Sequence, residues 1–189
     1  MSSFSVPRYL TAHRALADKL DRQALDAGIE VIRAAFDTRR QIITCGNGGS
    51  AYAASHYITD WNKMITLATG RKFRGVSLCD NIGLVTAFAN DVAFEEIFAG
   101  QLRAILEPGD LVIAVSGSGN SSNVVKAVEY ANGAGATTLA VVGYDGGRLK
   151  QLARHVVWVP SFDMQICEDV HLMFGHMVMK ALCGSPIAD

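Results

Sequence analysis

The stretch "ITCGNGGSAYAASH", residues 43–56, connects a short apolar run to a helix of small residues through a glycine-rich turn. Its glycines, together with Ala51, fit the pattern G-x-G-x-x-G/A, which is typical of dinucleotide-binding folds when it follows a strand. Those folds also place an acidic residue about 20 positions later, at the end of the next strand. Asp60 falls inside the predicted helix and Asp80 comes too late, so the pattern does not favour a dinucleotide site. A nucleotide P-loop is excluded because the sequence contains no Gly-Lys-Ser/Thr.

A second loop of the same kind, "SGSGNSSN" at residues 116–123, lies between the apolar run "LVIAVS" and a predicted helix. Hydroxyl and backbone N–H groups can converge there, where the helix dipole is positive, and such a nest suits a phosphate monoester. The turn and N-cap preferences of serine and glycine also explain one such loop. Two comparable loops, each at the carboxyl end of a predicted strand, favour the phosphate site over that alternative.

Strands and helices alternate along the rest of the chain. The predicted strands are "QIITC", "FRGVSL", "LVIAVS", "TTLAVVG" and "HVVWVP". Before them, the segment Tyr9–Arg40 carries an amphipathic helical pattern with a break near Asp21. The segment Met64–Lys72, "MITLATGRK", has the least pattern and is predicted to be a loop. The sequence therefore predicts an α/β fold of three layers, a five-stranded parallel sheet with helices on both faces, and an N-terminal helical extension.

Composition narrows the functional classes. The chain has 189 residues, half of them hydrophobic, which predicts one domain with a substantial core. A net charge of −1 and basic residues that are spread along the chain argue against nucleic acid or an anionic membrane as partner. The apolar runs are too short to span a membrane and the first twenty residues do not resemble a signal peptide, so we expect a cytoplasmic protein. The four cysteines form no C-x-x-C pair, and neither a disulfide framework nor a thiolate zinc site is indicated.

Five motifs together resemble one known family. They are "CGNGGS" followed by His56, "FAND" at residues 88–91, "SGSGNSSNVVKAV", "GYDGG" at residues 143–147 and the closing helix "ICEDVHLMFGH". In combination they resemble the sugar isomerase (SIS) domain family, most closely the phosphoheptose isomerases, which convert sedoheptulose 7-phosphate to D-glycero-D-manno-heptose 7-phosphate. The resemblance implies a single SIS domain over residues 1–189, with helices in 1–39 used in oligomer packing and an αβα core in 40–183. It also implies a homotetramer whose active sites lie between subunits.

The same resemblance assigns roles to individual residues. The family's catalytic acid and catalytic histidine fall on Asp60 and His176. Zinc-binding members hold their ion through four side chains, which here are His56, Asp60, Glu168 and His176, so Zn²⁺ is the expected cofactor. The predicted substrate-binding residues are Asn47 and Asp91 for the sugar, and Ser50, Ser116, Ser118 and Ser121 for the phosphate.

The chemistry of these residue types agrees with the roles. His56 and Asp60 are four residues apart and lie on one face of a helix, so both can reach one metal ion or one substrate atom. Isomerisation through an enediol needs a base for the proton next to the carbonyl and a second group that moves protons between the oxygens. A carboxylate and an imidazole suit these tasks, and a divalent metal would polarise the carbonyl.

Several positions depart from the family pattern. Asp60 replaces glutamate and Glu168 replaces glutamine, while the other departures are Ala53, Met64, Gly117 and Gln165. These changes cluster around the sugar, whereas the phosphate loops are kept. An isomerase of a different sugar phosphate, including a six-carbon or amino sugar, therefore stays open. A non-catalytic relative that associates with the bacterial replication initiator is a further alternative, against which the retained acid and histidines argue. Asp169 and His171 are predicted to be surface or subunit-contact residues.

Overall fold

The computed structural model describes residues 4–185. Five parallel strands form one sheet in the order β2–β1–β3–β4–β5. The strands are β1 (Ile42–Cys45), β2 (Gly75–Ser77), β3 (Leu111–Ser116), β4 (Thr137–Val142) and β5 (His155–Trp158). The predicted α/β class and the five-stranded parallel sheet are confirmed.

Helices lie before, between and after the strands. They are α1 (Val6–Ala17), α2 (Arg22–Asp37), α3 (Gly49–Asp60), α4 (Thr66–Thr69), α5 (Ile82–Asp91), α6 (Ala99–Ile105), α7 (Ser122–Gly133), α8 (Gly147–Leu152) and α9 (Met164–Cys183). A π-helical turn, Trp61–Ile65, joins α3 to α4, and a 3₁₀ turn, Phe94–Glu96, precedes α6. Among residues 4–185, no helix combines the length and the apolarity that a membrane span requires.

The sheet separates two hydrophobic cores. Successive residues of a strand point to opposite faces, so Ile42 and Ile113 pack with α2, α3 and α9, while Ile43 and Val112 pack with α6 and α7. All six residues of β3 are buried, as predicted for a strand that helices cover on both faces. The sheet is thus the middle layer, and the ends of its strands are positioned by packing on both sides.

The N-terminal helices break where the sequence indicated. Helix α1 ends at Ala17, and Asp21 caps α2 by accepting a hydrogen bond from the backbone N–H of Ala24 at 3.1 Å. Helix α1 is joined to α9 through the exposed carboxylate of Asp169, which accepts a hydrogen bond from the Tyr9 hydroxyl at 2.6 Å. This hydrogen bond raises the pKa of Tyr9 to about 12. Asp169 is a surface residue, as predicted, and it anchors α1.

The loop predicted for Met64–Lys72 is wrong over most of its length. The chain continues from α3 through the π-helical turn and α4 as far as Thr69, and Gly70 ends the helix with a φ of 68°. Ile65 is fully buried, but Met64 and Leu67 face outward. An apolar stripe along one face is the main sign of a helix in a sequence. Here the apolar residues are divided between core and surface, so this segment has no such stripe and its sequence predicts a loop.

His171 is fully buried, contrary to the prediction of a surface or subunit-contact residue. It lies on the stripe of α9 that also carries Cys167, Phe174 and Val178, all of them buried. Neither ring nitrogen makes a hydrogen bond of ordinary geometry among residues 4–185, and the approach of the Val142 backbone only partly offsets the effect of burial. Burial in these surroundings lowers the pKa of His171 to about 4, from an ordinary value of 6.5, because the charged imidazolium is poorly solvated there.

This burial predicts acid sensitivity. Below about pH 6.5 the unfolded chain protonates His171 while the folded chain does not, so stability falls as the pH drops toward about 4. We expect His171 to account for about 2 kcal/mol of lost unfolding free energy between about pH 7 and about pH 5. Urea denaturation at both pH values tests this, with His171→Leu expected to remove that part of the loss. Val178→Ala, at another buried position of the same stripe, is the control, since it should lower stability equally at both pH values and leave the difference unchanged; equal behaviour of both variants would contradict the prediction.

Candidate active site

The sheet order creates a crevice at the carboxyl end of β1. Strand β1 lies between β2 and β3. The chain first adds β2 on one side of β1 and then crosses over to add β3 on the other side. Ligands of parallel α/β sheets bind at this kind of switch point, outside the carboxyl ends of the strands. The loops after β1 and β3 border a cavity of about 520 Å³ there. The two glycine-rich loops singled out in the sequence therefore meet at one site.

The first loop packs closely onto its surroundings. A Cβ atom on Gly46 would lie 2.7 Å from the carbonyl oxygen of Ser50 and 2.9 Å from that of Val115, so a larger residue would push the loop away from β3. The turn brings Asn47 and Ser50 to the cavity wall. Because Ser50 lies in the first turn of α3, the positive end of that helix is directed to the cavity.

The second loop presents three hydroxyl groups. The Ser116 hydroxyl accepts a hydrogen bond from the Gly119 N–H at 3.1 Å, and the Ser118 hydroxyl accepts one from the Asn120 N–H at 3.2 Å. Ser121 precedes α7, and within the described part of the chain its side chain makes no capping hydrogen bond to that helix. All three serines line the cavity, together with Ser50. The structure thus gathers the four predicted phosphate-binding residues at one place.

A pair of asparagines ties the two loops together. The Asn47 and Asn123 amides each donate to the other's oxygen, at 2.8 and 2.9 Å. Asn123 is fully buried, and its oxygen also accepts from the Val124 N–H at 2.9 Å. Asn123 is a residue that sequence reasoning missed, because nothing in its own motif indicates a partner 76 residues away. Tyr144 and Met164 were also missed, and both line the cavity.

A second group of side chains lies where α3 and α9 pack together. The Nε2 atoms of His56 and His176 are 3.1 Å apart, and the Asp60 carboxylate lies 3.3 Å from the first and 3.8 Å from the second. Their side chains are 42%, 47% and 25% exposed for His56, His176 and Asp60, so all three can be reached from solvent. We refer to these three residues as the ligand triangle.

The ligand triangle fits a tetrahedral metal ion. Its three ligand atoms lie within 4.8 Å of one another, and two imidazoles with a carboxylate are a common catalytic zinc set with an open fourth position. Ligand atoms on a tetrahedron with bonds of about 2.1 Å are about 3.4 Å apart. The observed separations of 3.1 to 3.8 Å surround that value.

Glu168 does not join the ligand triangle. A Cβ atom on Gly49 would lie 2.3 Å from a Glu168 carboxylate oxygen, so this side chain rests on the first turn of α3. The positive end of that helix attracts a carboxylate. Glu168 lines the main cavity and also an adjoining one of about 410 Å³, which His56 borders. It therefore lies between the phosphate loops and the ligand triangle.

Asp91, the second predicted sugar-binding residue, lies elsewhere. It is the last residue of α5, it is exposed, and it accepts a hydrogen bond from the Asn90 side chain at 2.7 Å. It does not line the cavity at the switch point. Within one chain the structure brings together every predicted phosphate-binding residue but leaves Asp91 apart.

The fold and the site define a class of protein. The family description "SIS domain" matches residues 8–143, which is more than half of the chain. The phosphoheptose isomerase of Neisseria gonorrhoeae has the same fold, with a TM-score of 0.86 at 26% identity over 94% of this chain and 96% of that one.

Relatives with similar sequences identify the branch of this family to which the chain belongs. The phosphoheptose isomerase of Helicobacter pylori (strain P12) is 33% identical over 176 residues, which are 92% of this chain and 91% of that protein. The phosphoheptose isomerase of Aquifex aeolicus (strain VF5) is 34% identical over 150 residues, 79% of this chain and 78% of that protein. The chain belongs to the SIS domain family and, within it, to the phosphoheptose isomerase family of sugar-phosphate isomerases. The predicted family and the predicted enzyme class are confirmed.

Proposed function

We propose that this chain interconverts sedoheptulose 7-phosphate and D-glycero-D-manno-heptose 7-phosphate by acid and base catalysis through an enediol. The observation that carries the proposal is the continuity of the site. A cavity lined by four serines leads, past Glu168, to a carboxylate held against two imidazoles. A sugar-phosphate isomerase needs both ends of this site, one to bind the phosphate anion and one to act at the carbonyl carbon.

The phosphate end holds the substrate. Ser50, Ser116, Ser118 and Ser121 supply hydroxyl groups, and the N-termini of α3 and α7 supply a positive dipole. Binding energy from this non-reacting phosphate fixes the sugar so that its carbonyl end reaches the ligand triangle. Such positioning contributes directly to the rate, because the reacting groups no longer have to find one another.

The chemical end moves protons. The Asp60 carboxylate takes the proton from C1 of the ketose, and the electron pair left behind forms the C1–C2 double bond of the enediol as the C2 carbonyl oxygen gains a proton from the His176 imidazole. The imidazole then takes the proton of the C1 hydroxyl, and Asp60 returns its proton to C2, which leaves an aldehyde at C1. Asp60 and His176 are 3.8 Å apart, so both can act on the same two carbon atoms.

A zinc ion would be held by the ligand triangle, and when bound it would polarise the carbonyl and stabilise the developing negative charge on oxygen. Two neutral imidazoles and a carboxylate would leave one positive charge on such a site, and the Glu168 carboxylate as fourth ligand would balance it. The fit of the three ligand atoms supports this cofactor. Glu168 is the candidate fourth ligand, and its place beside the ligand triangle supports that assignment.

Assembly completes the proposal. We infer a homotetramer with sites between subunits, in which residues 1–39 pack against other copies and 40–183 form the core of a single domain. The surface of α5 supports this. None of its residues is buried, Ile82 is 70% exposed, and the adjoining Val92 is 63% exposed. Packing of α5 against a second copy would cover these apolar residues and carry Asp91 to that copy's site.

The departures near the sugar keep a second substrate open. Met64 is an exposed residue of the π-helical turn, and Gln165 lies in the first turn of α9, where the family has charged residues. Neutral side chains at these positions would recognise a different pattern of hydroxyl groups, while the phosphate end is unchanged. The alternative is therefore an isomerase of another sugar phosphate, and the retained ligand triangle argues against a non-catalytic binding protein.

The test is isomerisation of sedoheptulose 7-phosphate by the purified protein, after chelation and after zinc is restored. We expect turnover with zinc and at least about 100-fold less without it. A panel of five-, six- and seven-carbon ketose phosphates, measured in parallel, identifies the substrate. Faster turnover of a six-carbon phosphate would assign the alternative substrate. Absence of turnover on the whole panel, with the protein folded and loaded with zinc, would overturn the proposal.

A further inference from the structure

Two aromatic side chains join α3 to α9 directly behind the ligand triangle. The Tyr57 hydroxyl donates to the backbone carbonyl oxygen of His171, and the indole Nε1–H of Trp61 donates to that of Gly175 at 3.0 Å. Both rings are fully buried, and they stack with centroids 4.9 Å apart and planes at 17°. A mid-helix carbonyl can accept such a second hydrogen bond because its oxygen has two lone pairs.

Three of the four residues in these two hydrogen bonds are covalent neighbours of the ligand triangle. Tyr57 follows His56, Trp61 follows Asp60, and the acceptor Gly175 precedes His176. Successive residues on a helix are rotated by about 100° around its axis. The aromatic side chains therefore enter the core while the neighbouring triangle members face the cleft.

The spacing of these bonds fixes how the two helices are placed. The donors are four residues apart on α3 and the adjoining π-helical turn, and the acceptors are four residues apart on α9. The helices therefore run side by side in the same direction, with one bond at each of two successive turns. A shift of α9 by one residue would rotate His176 by about 100°, out of reach of Asp60.

The closeness of the helices depends on Gly175. A Cβ atom at this position would lie 2.3 Å from two atoms of the Tyr57 ring, so the ring rests directly on the backbone of α9. The π-helical turn begins at Trp61, the residue whose indole makes the second bond. π-helical turns are rare and often occur at functional sites.

We propose that Trp61, together with Tyr57, is a positioning residue that holds the His176 imidazole in the ligand triangle. The inference deepens the proposed function, since it states what keeps the zinc-binding and proton-transferring groups in place. It also predicts that kcat, and not KM, depends on the indole. Trp61 contacts neither phosphate loop through a hydrogen bond in the described chain, so its N–H group serves the chemical step and not phosphate binding.

The variant that tests this is Trp61→Phe. It keeps a buried aromatic ring for stacking on Tyr57 but removes the N–H donor, and Gly175 retains the hydrogen bonds of its own helix. We expect zinc affinity to fall about tenfold, as for other groups that orient metal ligands, and kcat to fall by a similar factor with KM nearly unchanged. Tyr57→Phe removes the other bond and should act in the same direction.

Phe73→Leu is the matched control. The Phe73 ring meets the Trp61 ring edge-on, with centroids 5.8 Å apart, so the substitution loosens the same part of the core while both bonds to α9 remain. We expect this variant to unfold at a lower temperature and to keep the zinc affinity and kcat of the unchanged protein.

Two measurements do not depend on turnover. Zinc affinity is measured by competition with a chelating dye, and crystal structures of the variants give the separation of the His56 and His176 Nε2 atoms, which is 3.1 Å here. A wider separation with weaker zinc binding in Trp61→Phe but not in Phe73→Leu supports the inference. An unchanged separation and affinity, or the same losses in Phe73→Leu, overturns it. If the unchanged protein isomerises no sugar phosphate, the proposed function fails, and the crystallographic separation still decides this inference.

Discussion

Replacing His176 with alanine is expected to lower kcat for sugar-phosphate isomerisation by about 10²–10⁴-fold, the usual contribution of a general acid or base. The imidazole is 47% exposed and makes contact with His56 and Asp60 at the cleft, so its removal leaves no cavity in the core. The folded state should therefore keep its stability. KM should change little, because the phosphate end of the site is untouched.

The same substitution should reduce zinc binding, since only two members of the ligand triangle remain. Met177→Ala is the matched control, because Met177 is the next residue of α9 and is half-buried. Steady-state kinetics, zinc titration and thermal unfolding of the two variants separate the effects. A His176→Ala protein that retains more than about a tenth of the kcat would contradict the proton-transfer role.

Replacing Gly119 with alanine should damage the phosphate loop and the fold together. Gly119 has a φ of 66°, a conformation that costs other residues about 1–2 kcal/mol. In addition, its Cβ atom would lie 2.0 Å from the backbone carbonyl oxygen of Gly146. Backbone atoms cannot rotate away as a side chain can, so the loop itself must move. We expect a loss of about 3 kcal/mol or more in unfolding free energy, which is about 6–12 °C in Tm for a chain of this size.

Gly117, two residues earlier in the same loop, is the control. A Cβ atom there would meet nothing within 4 Å, and its φ is not in the left-handed region. Gly117→Ala should change the unfolding free energy by less than about 0.5 kcal/mol. Thermal unfolding with and without inorganic phosphate then reports stability and anion binding for both variants. Equal Tm values for the two would show that the close approach to Gly146 does not constrain the loop.

The features that the sequence predicts well are those set by local patterns. A run such as residues 111–116 is apolar throughout, so its burial and its place inside a parallel sheet follow from composition alone. The spacing of His56 and Asp60 placed both on one helical face, and the structure has them 3.3 Å apart. His176 could be added only through the family resemblance, because nothing within α9 indicates which helix it faces.

Other features depend on contacts that no local pattern encodes. The carboxylate of Glu168 lies on the first turn of α3 against Gly49 and outside the ligand triangle, a placement that depends on how α9 packs on α3. The burial of His171 follows from how α9 is rotated against the sheet. From its polar side chain alone, this residue would be expected at the surface. Helical structure after Trp61 has no apolar stripe because its side chains divide between core and surface.

The asparagine pair that joins the two loops has a consequence for redesign of the enzyme. Asn47 and Asn123 form a closed two-bond ring between the segments that follow β1 and β3, with one member fully buried. The wall that we propose holds the phosphate is thus a single unit made from two separate pieces of the chain, and neither piece can be exchanged alone without leaving a buried amide unpaired. The opposite wall, built from side chains of α3 and α9, has no part in that ring. A library that aims at new sugars can therefore vary the second wall outside Ser50 and the ligand triangle while the first is inherited intact, as a common handle for any substrate that ends in a phosphate.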